Sequence, residues 1–235
     1  KFYPAMGYFP SDTRLDGVYA WAAENQIPIT THVTRGGNFY VGDMRKLLAD
    51  TSHYNLPANT KCADLINAVT LNINNGAWKK DENRIGTQLF TNPEHFKTAL
   101  ENNPNLKINF AHFGGSNEVN NGVNQTGIPG SMIALEQLAG LTDFTTNIIS
   151  LINKYDNVYT DLSYTICDND ALKKVAGLAQ NHSKLNSRLL FGTDSFLVLM
   201  EGNLSKMIAN SEANLGNSLF HNSFKVNPIT FFNPY

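Results

Sequence analysis

Three side chains able to hold a divalent metal occupy comparable places in this 235-residue chain. His32 ends the apolar run 27–33 (IPITTHV), His112 ends the run 107–113 (KINFAHF), and Asp194 ends the run 188–194 (RLLFGTD). Neutral imidazole and carboxylate are both ligands that Zn²⁺ accepts, and three such ligands leave a coordination position open for water. Water held there loses a proton near neutral pH and becomes a usable nucleophile. The spacings, 80 residues from His32 to His112 and 82 from His112 to Asp194, form no compact motif. Ordinary polar residues satisfied at strand ends are therefore the competing reading of the same three positions.

Elements of one kind must bring such distant residues together. A fourth run, 157–163 (NVYTDLS), ends at Asp161, and Lys1–Ala5 reads as the tail of a fifth. Near-continuous, β-branched runs of this length suit strands covered on both faces, as in a parallel sheet. Helical periodicity lies between them. Leu15, Val18, Tyr19, Ala22 and Ala23 share one face after a cap at Asp12 or Thr13. Pro93–Leu100 follows Asn92 as cap, a long helix is expected over Ile133–Tyr155 with a break near Gly140, and another over Asn169–Gln180. Strands alternating with helices predict βα units whose strand ends converge on one rim. The 80 residues between the histidines far exceed a crossover of about 30. Residues 36–90, with helical pieces at Asp43–Ala49 and Cys62–Asn72, are thus predicted to form an inserted region over that rim, placed as a lid.

Composition narrows the function classes. Lys and Arg number 18 against 20 Asp and Glu, a net charge of −2, so no basic stripe is available for nucleic acid. The apolar runs fall far short of the ~20 residues that span a bilayer. A 42% hydrophobic share provides for a sizeable core. Cys62 and Cys167 lie far apart without a Cys-x-x-Cys pairing and read as ordinary buried thiols. A small-molecule substrate is the expected partner, neither nucleic acid nor membrane, and a cytoplasmic location is favoured with the compartment left open. His53, His95, His182 and His221 are isolated, and His95 is expected at the surface. Ser195 lacks the Gly-x-Ser-x-Gly elbow of a serine hydrolase.

The segments Thr31-His32, 103–115 (NPNLKINFAHFGG) and 190–194 (LFGTD) resemble successive strand ends of the metal-dependent amidohydrolase superfamily. The nearest branch is that of TIM-barrel hydrolases related to aminocarboxymuconate-semialdehyde decarboxylase. Asn157–Asp161 is similar to that branch's seventh strand, and 227–232 (NPITFF) to its final helix. The resemblance implies a (β/α)₈ TIM barrel of which this single-domain chain, 1–235, covers about strands 4–8, with an elaborated loop after strand 5. It implies a divalent metal, zinc first, held by His32, His112 and Asp194. Asp194 would also act as general base and His112 as a catalytic histidine, binding metal or polarising the substrate. The family's first-strand His-x-His pair has no counterpart here, so the first three strands are expected upstream of Lys1, the alternative being that the protein has lost them. Arg35, Lys1 and Tyr164 are the expected substrate-binding residues, Arg35 by clamping a carboxylate, whereas Asp161 is expected to serve mainly as a hydrogen-bonding residue. The implied activity is hydrolysis of a small amide, lactone or ester by metal-activated water. Non-oxidative decarboxylation of an unsaturated or aromatic carboxylate on the same site is one alternative. A metal-free barrel used for binding or scaffolding is the other. A homodimer is compatible with a barrel enzyme.

Overall fold

The β-branched residues Ile29, Thr30, Thr31, Val33 and Thr34 make up most of the first strand, β1 (Ile29–Thr34). It is joined by β2 (Ile108–Gly114), β3 (Val158–Asp161) and β4 (Leu189–Leu190) in one parallel sheet of order β1-β2-β3-β4. The computed structural model describes residues 1–50, 52, 60–74, 88–122 and 143–232. Ile29 lies beside Ile108, Ile108 beside Val158, and Thr160 beside Leu189, so all four strands point the same way in register. Phe2 forms a parallel bridge to Thr31 on the free side of β1. Sequential order with helical crossovers is the arrangement of an arc of a (β/α) barrel; a doubly wound sheet would reverse its order at a switch point.

The pleat gives the sheet two unlike faces. On one, Ile29, Val33, Ile108, Phe110, Val158 and Leu189 are buried in the main apolar core. Helices close that core: α1 (Asp16–Glu24) and, after α2 (Met44–Ala49) and α3 (Thr60–Asn74), which belong to a separate cluster, α4 (Lys97–Asn102) come before β2. Next come α5 (Ser116–Asn121), α6 (Phe144–Lys154), α7 (Asn169–Asn181) and α8 (Ser183–Asn186). Tyr19 of α1, Leu100 of α4, Ile148 and Ile152 of α6, and Leu172 and Val175 of α7 all pack into this core. The opposite face carries His32, Asn109 and Tyr159, the face a closed barrel turns inward.

The helices begin where their caps stand. The Asp143 carboxylate accepts from Thr146 N, and that of Asp168 accepts from Asp170 N and Ala171 N. Asn92 caps a short 3₁₀ turn, Pro93–Phe96, that leads into α4. The helix expected from Ile133 is described only from Phe144; residues 133–142 lie outside the described residues. The inserted region is described in part. Met44 and Leu48 of α2 and Leu65, Ile66, Val69 and Ile73 of α3 form a second apolar cluster with Phe9, Leu89 and Phe90. No helix among the described residues is long and apolar enough to cross a membrane.

The fourth expected strand is shorter than the run 188–194 predicts. Phe191 N turns away to Ser223 O at 2.9 Å, within a π-helical turn (Asn222–Val226), and the Asn227 side chain donates to Leu189 O at 2.8 Å. These contacts cover the outer edge of β4, where an open edge would invite pairing with other chains. Beyond them the chain continues through α9 (Ser195–Glu201), α10 (Leu204–Leu215), α11 (Asn217–His221) and α12 (Asn227–Phe232).

Candidate metal centre

The sheet register sets His32 opposite Ala111, one residue before His112. The two imidazoles meet edge to face, with His32 Nδ1 3.1 Å from His112 Nε2. Each outer ring nitrogen faces a backbone carbonyl: His32 Nε2 lies 2.9 Å from Gly36 O, and His112 Nδ1 lies 2.9 Å from Ser163 O. A carbonyl only accepts, so the tautomers that satisfy both carbonyls carry their protons on the outer nitrogens and present lone pairs on the inner ones. Both rings are buried.

Backbone strain gathers here. His112 (φ 71°), Phe113 (φ 50°), Tyr164 (φ 61°) and Asp194 (φ 52°) adopt left-handed conformations that side chains ordinarily avoid, each at or just beyond the C-terminal end of its strand run. Close approach enforces glycine twice. A Cβ on Gly115 would come within 2.7 Å of Thr34 Oγ1, and one on Gly37 within 2.3 Å of the Tyr3 hydroxyl. Tyr3 stacks on His32 with ring centroids 4.1 Å apart, and its hydroxyl accepts from Asn38 N. Sequence reasoning did not single out Tyr3. Its only signal was its place in the Lys1–Ala5 run, and the bridge of Phe2 to β1 turns that place into contact.

A cavity of about 470 Å³ opens over the pair, and Lys1, Tyr3, Tyr164, Thr165, Asp194 and Glu201 contribute to its wall. Asp194 reaches it because its left-handed backbone ends the strand run and starts α9. Tyr164 donates to Glu201 Oε1 at 3.0 Å, and that bond, ahead of burial, raises its phenol. For Tyr3 burial is the main cause that raises the phenol, opposed by the Asn38 N–H and reinforced by the Asp194 charge. Of the expected site residues, the structure brings His32 and His112 into contact and sets Lys1, Tyr164 and Asp194 on the same wall. Among the described residues no third His, Cys, Asp or Glu completes a metal-holding group with the two rings.

Arg35 is a correction. Its side chain is 5% exposed and turned into the protein, where Nε pairs with Glu118 Oε2 at 3.0 Å and NH1 donates to Gln88 Oε1 at 3.1 Å. The guanidinium lies 4.3 Å from the centre of the Phe144 ring. Burial raises the Glu118 carboxyl, and the Arg35 charge opposes that shift. A guanidinium so engaged is absent from the cavity wall and clamps no substrate there. His95 is a second correction. It is buried against Phe9 rather than exposed, because the Pro93–Phe96 turn packs inward. His53 lies outside the described residues, and Cys167 is half-buried, its thiol raised by burial.

The two imidazoles supply two of the nitrogen donors that a divalent cation accepts. With both inner nitrogens unprotonated, their lone pairs face each other across 3.1 Å, a repulsion that a cation bound by both would relieve. Two nitrogens each ~2.05 Å from one tetrahedral metal stand roughly 3.3 Å apart, close to this spacing. Burial, followed by the neighbouring His112, lowers the His32 imidazole to about 4. Outer ring nitrogens donating to carbonyls are the usual support of metal-ligating histidines.

No family model matches the chain, and no curated protein matches it. Its backbone is similar to a solved structure, an uncharacterized TIM-barrel protein from Bordetella bronchiseptica. That protein is 14% identical, with a TM-score of 0.46 over 97% of this chain and 55% of its own length. This chain therefore spans about half the length of that protein.

Proposed function

We propose that the chain carries the catalytic rim of a metal-dependent hydrolase acting on a small amide, lactone or ester. The observation that carries this reading is the pair of buried imidazoles whose inner nitrogens face each other at 3.1 Å while backbone carbonyls hold the outer ones. His32 Nδ1 and His112 Nε2 would hold the metal, most suitably zinc, with Asp194 from the cavity wall as the carboxylate partner. Bound there, the metal would acidify water and polarise the scissile carbonyl. Asp194 takes the proton of the attacking water and delivers it to the leaving nitrogen or oxygen, the two halves of one general acid–base cycle. Lys1 and Tyr164 bind the substrate from the wall, and Tyr3 keeps the His32 ring in place by stacking.

Decarboxylation wants a cationic anchor for a carboxylate; Arg35, the expected one, is committed to Glu118, which leaves Lys1 as the cation on that wall. The test is turnover of a panel of p-nitrophenyl esters, small lactones and anilides by zinc-loaded protein. Asp194→Asn is expected to lower kcat by roughly 10²–10⁴-fold, the span of general acid–base catalysis. Activity unchanged by Asp194→Asn would remove it from the reaction. Carbon dioxide release from aromatic carboxylates without ester or lactone turnover would favour the decarboxylase reading.

A further inference from the structure

We propose that Asp161 is a positioning residue that sets the tautomer of His112, acting through the Ser163 hydroxyl. The proposal deepens the metal-site reading above and rests on it for its purpose. Asp161 ends β3 beneath the His112 turn, and its carboxylate is almost saturated with donors. Oδ1 accepts from His112 N at 3.0 Å, from Ser163 N at 2.9 Å and from the Ser163 hydroxyl; Oδ2 accepts from Asn109 Nδ2 at 2.6 Å.

The hydroxyl decides the matter. Ser163 Oγ lies 3.0 Å from His112 Nδ1, as close as the Ser163 carbonyl at 2.9 Å. A serine hydroxyl has a single proton. Given to Asp161, it leaves only lone pairs facing Nδ1, from Oγ and from the carbonyl alike. Nδ1 must then carry the ring proton, and Nε2 offers its lone pair toward His32. Without Asp161 the hydroxyl can turn and donate to Nδ1, which moves the ring proton to Nε2 and closes the nitrogen that faces His32. The carboxylate also fixes the left-handed backbone of His112 through the His112 N–H, so one group controls both the position and the proton of this ring.

The conservative variant separates charge from hydrogen bonding. In Asp161→Asn the amide oxygen can still accept from both backbone N–H groups and the hydroxyl. The amide nitrogen would meet Asn109, whose Oδ1 has no partner among the described residues and can accept once that amide turns over. The experiment is ¹⁵N imidazole NMR of the metal-free chain, with the His112 signals assigned by their loss in His112→Gln, followed by Zn²⁺ titration. Wild type, Ser163→Ala and Asp161→Asn are expected to show His112 protonated at Nδ1. Asp161→Ala is expected to shift it to Nε2 and to weaken Zn²⁺ binding at least tenfold, the usual scale for outer-shell partners. The double variant Asp161→Ala/Ser163→Ala, which lacks the competing hydroxyl, is expected to return to the Nδ1 form, an outcome a merely structural role would not produce. Wild type protonated at Nε2, or a folded Asp161→Ala that keeps the Nδ1 form, would overturn the proposal. Should Asp161→Ala not fold, wild type or Asp161→Asn protonated at Nε2 would still overturn it. A wild type in the Nδ1 form that binds no Zn²⁺ would instead defeat the metal reading while leaving Asp161 in its role.

Discussion

Charge and burial decide what each polar side chain at the rim can do. His32 and His112 are buried, yet each has one nitrogen satisfied by a carbonyl and one turned toward its neighbour. Arg35 stands three residues from His32 in sequence, and that proximity suggested substrate binding. Sequence carries no sign of Glu118, 83 residues away, which captures the guanidinium. The pairing makes a measurable distinction. Arg35→Ala leaves Glu118 buried without its cation and is expected to cost about 3–5 kcal/mol of stability, the usual result of breaking a buried pair. A substrate clamp would raise KM with little change in urea midpoint, so chemical denaturation of the variant checks the assignment. Tyr3 was invisible for the same reason, its stacking on His32 being set by a bridge between Phe2 and β1.

Among the elements, periodicity identified the strands well where a whole run is buried and less well where the chain departs from the sheet. β2 is buried along its full length, and its run stood out as continuous apolar sequence. β4 keeps only two residues because tertiary hydrogen bonds to Ser223 and Asn227 replace the strand ladder, which no local pattern encodes. Phe110 at the centre of β2 packs edge to face on Phe96, and Phe110→Ala is expected to lose about 3–5 kcal/mol, read from the denaturation midpoint. A loss below about 1 kcal/mol would mean that the sheet–helix core is not where the stability resides.

The Pro93–Phe96 turn gives a pH signature. Burial lowers the His95 imidazole from its ordinary 6.5 to about 4, so the folded chain keeps it neutral where the unfolded chain protonates it. The stability it contributes is complete above pH 6.5 and is lost as pH falls from 6.5 toward 4, by up to roughly 3 kcal/mol for one such group. Urea midpoints should therefore drop between pH 7.5 and pH 5, and His95→Leu should flatten part of that drop. An unaltered slope in His95→Leu would place the histidine in water. The helical grammar of residues 93–100 suggested that exposure, since it says nothing of Phe9 arriving from elsewhere.

For the whole molecule, the parallel order β1-β2-β3-β4 brings the strand ends to one rim, and that rim gathers His32, His112 and Asp194 around one cavity. This much was legible, because strand-end residues at successive crossovers have nowhere else to meet. The place of Asp194 on the cavity wall was not legible in detail, since it depends on a left-handed turn at the start of α9. The most direct measurement is metal content. The purified chain, incubated with excess Zn²⁺ and freed of unbound ion by gel filtration, is expected to retain about one equivalent, and His32→Ala and His112→Ala much less. A folded wild-type chain that emerges free of metal, or two histidine variants that retain as much as wild type, would contradict the metal centre.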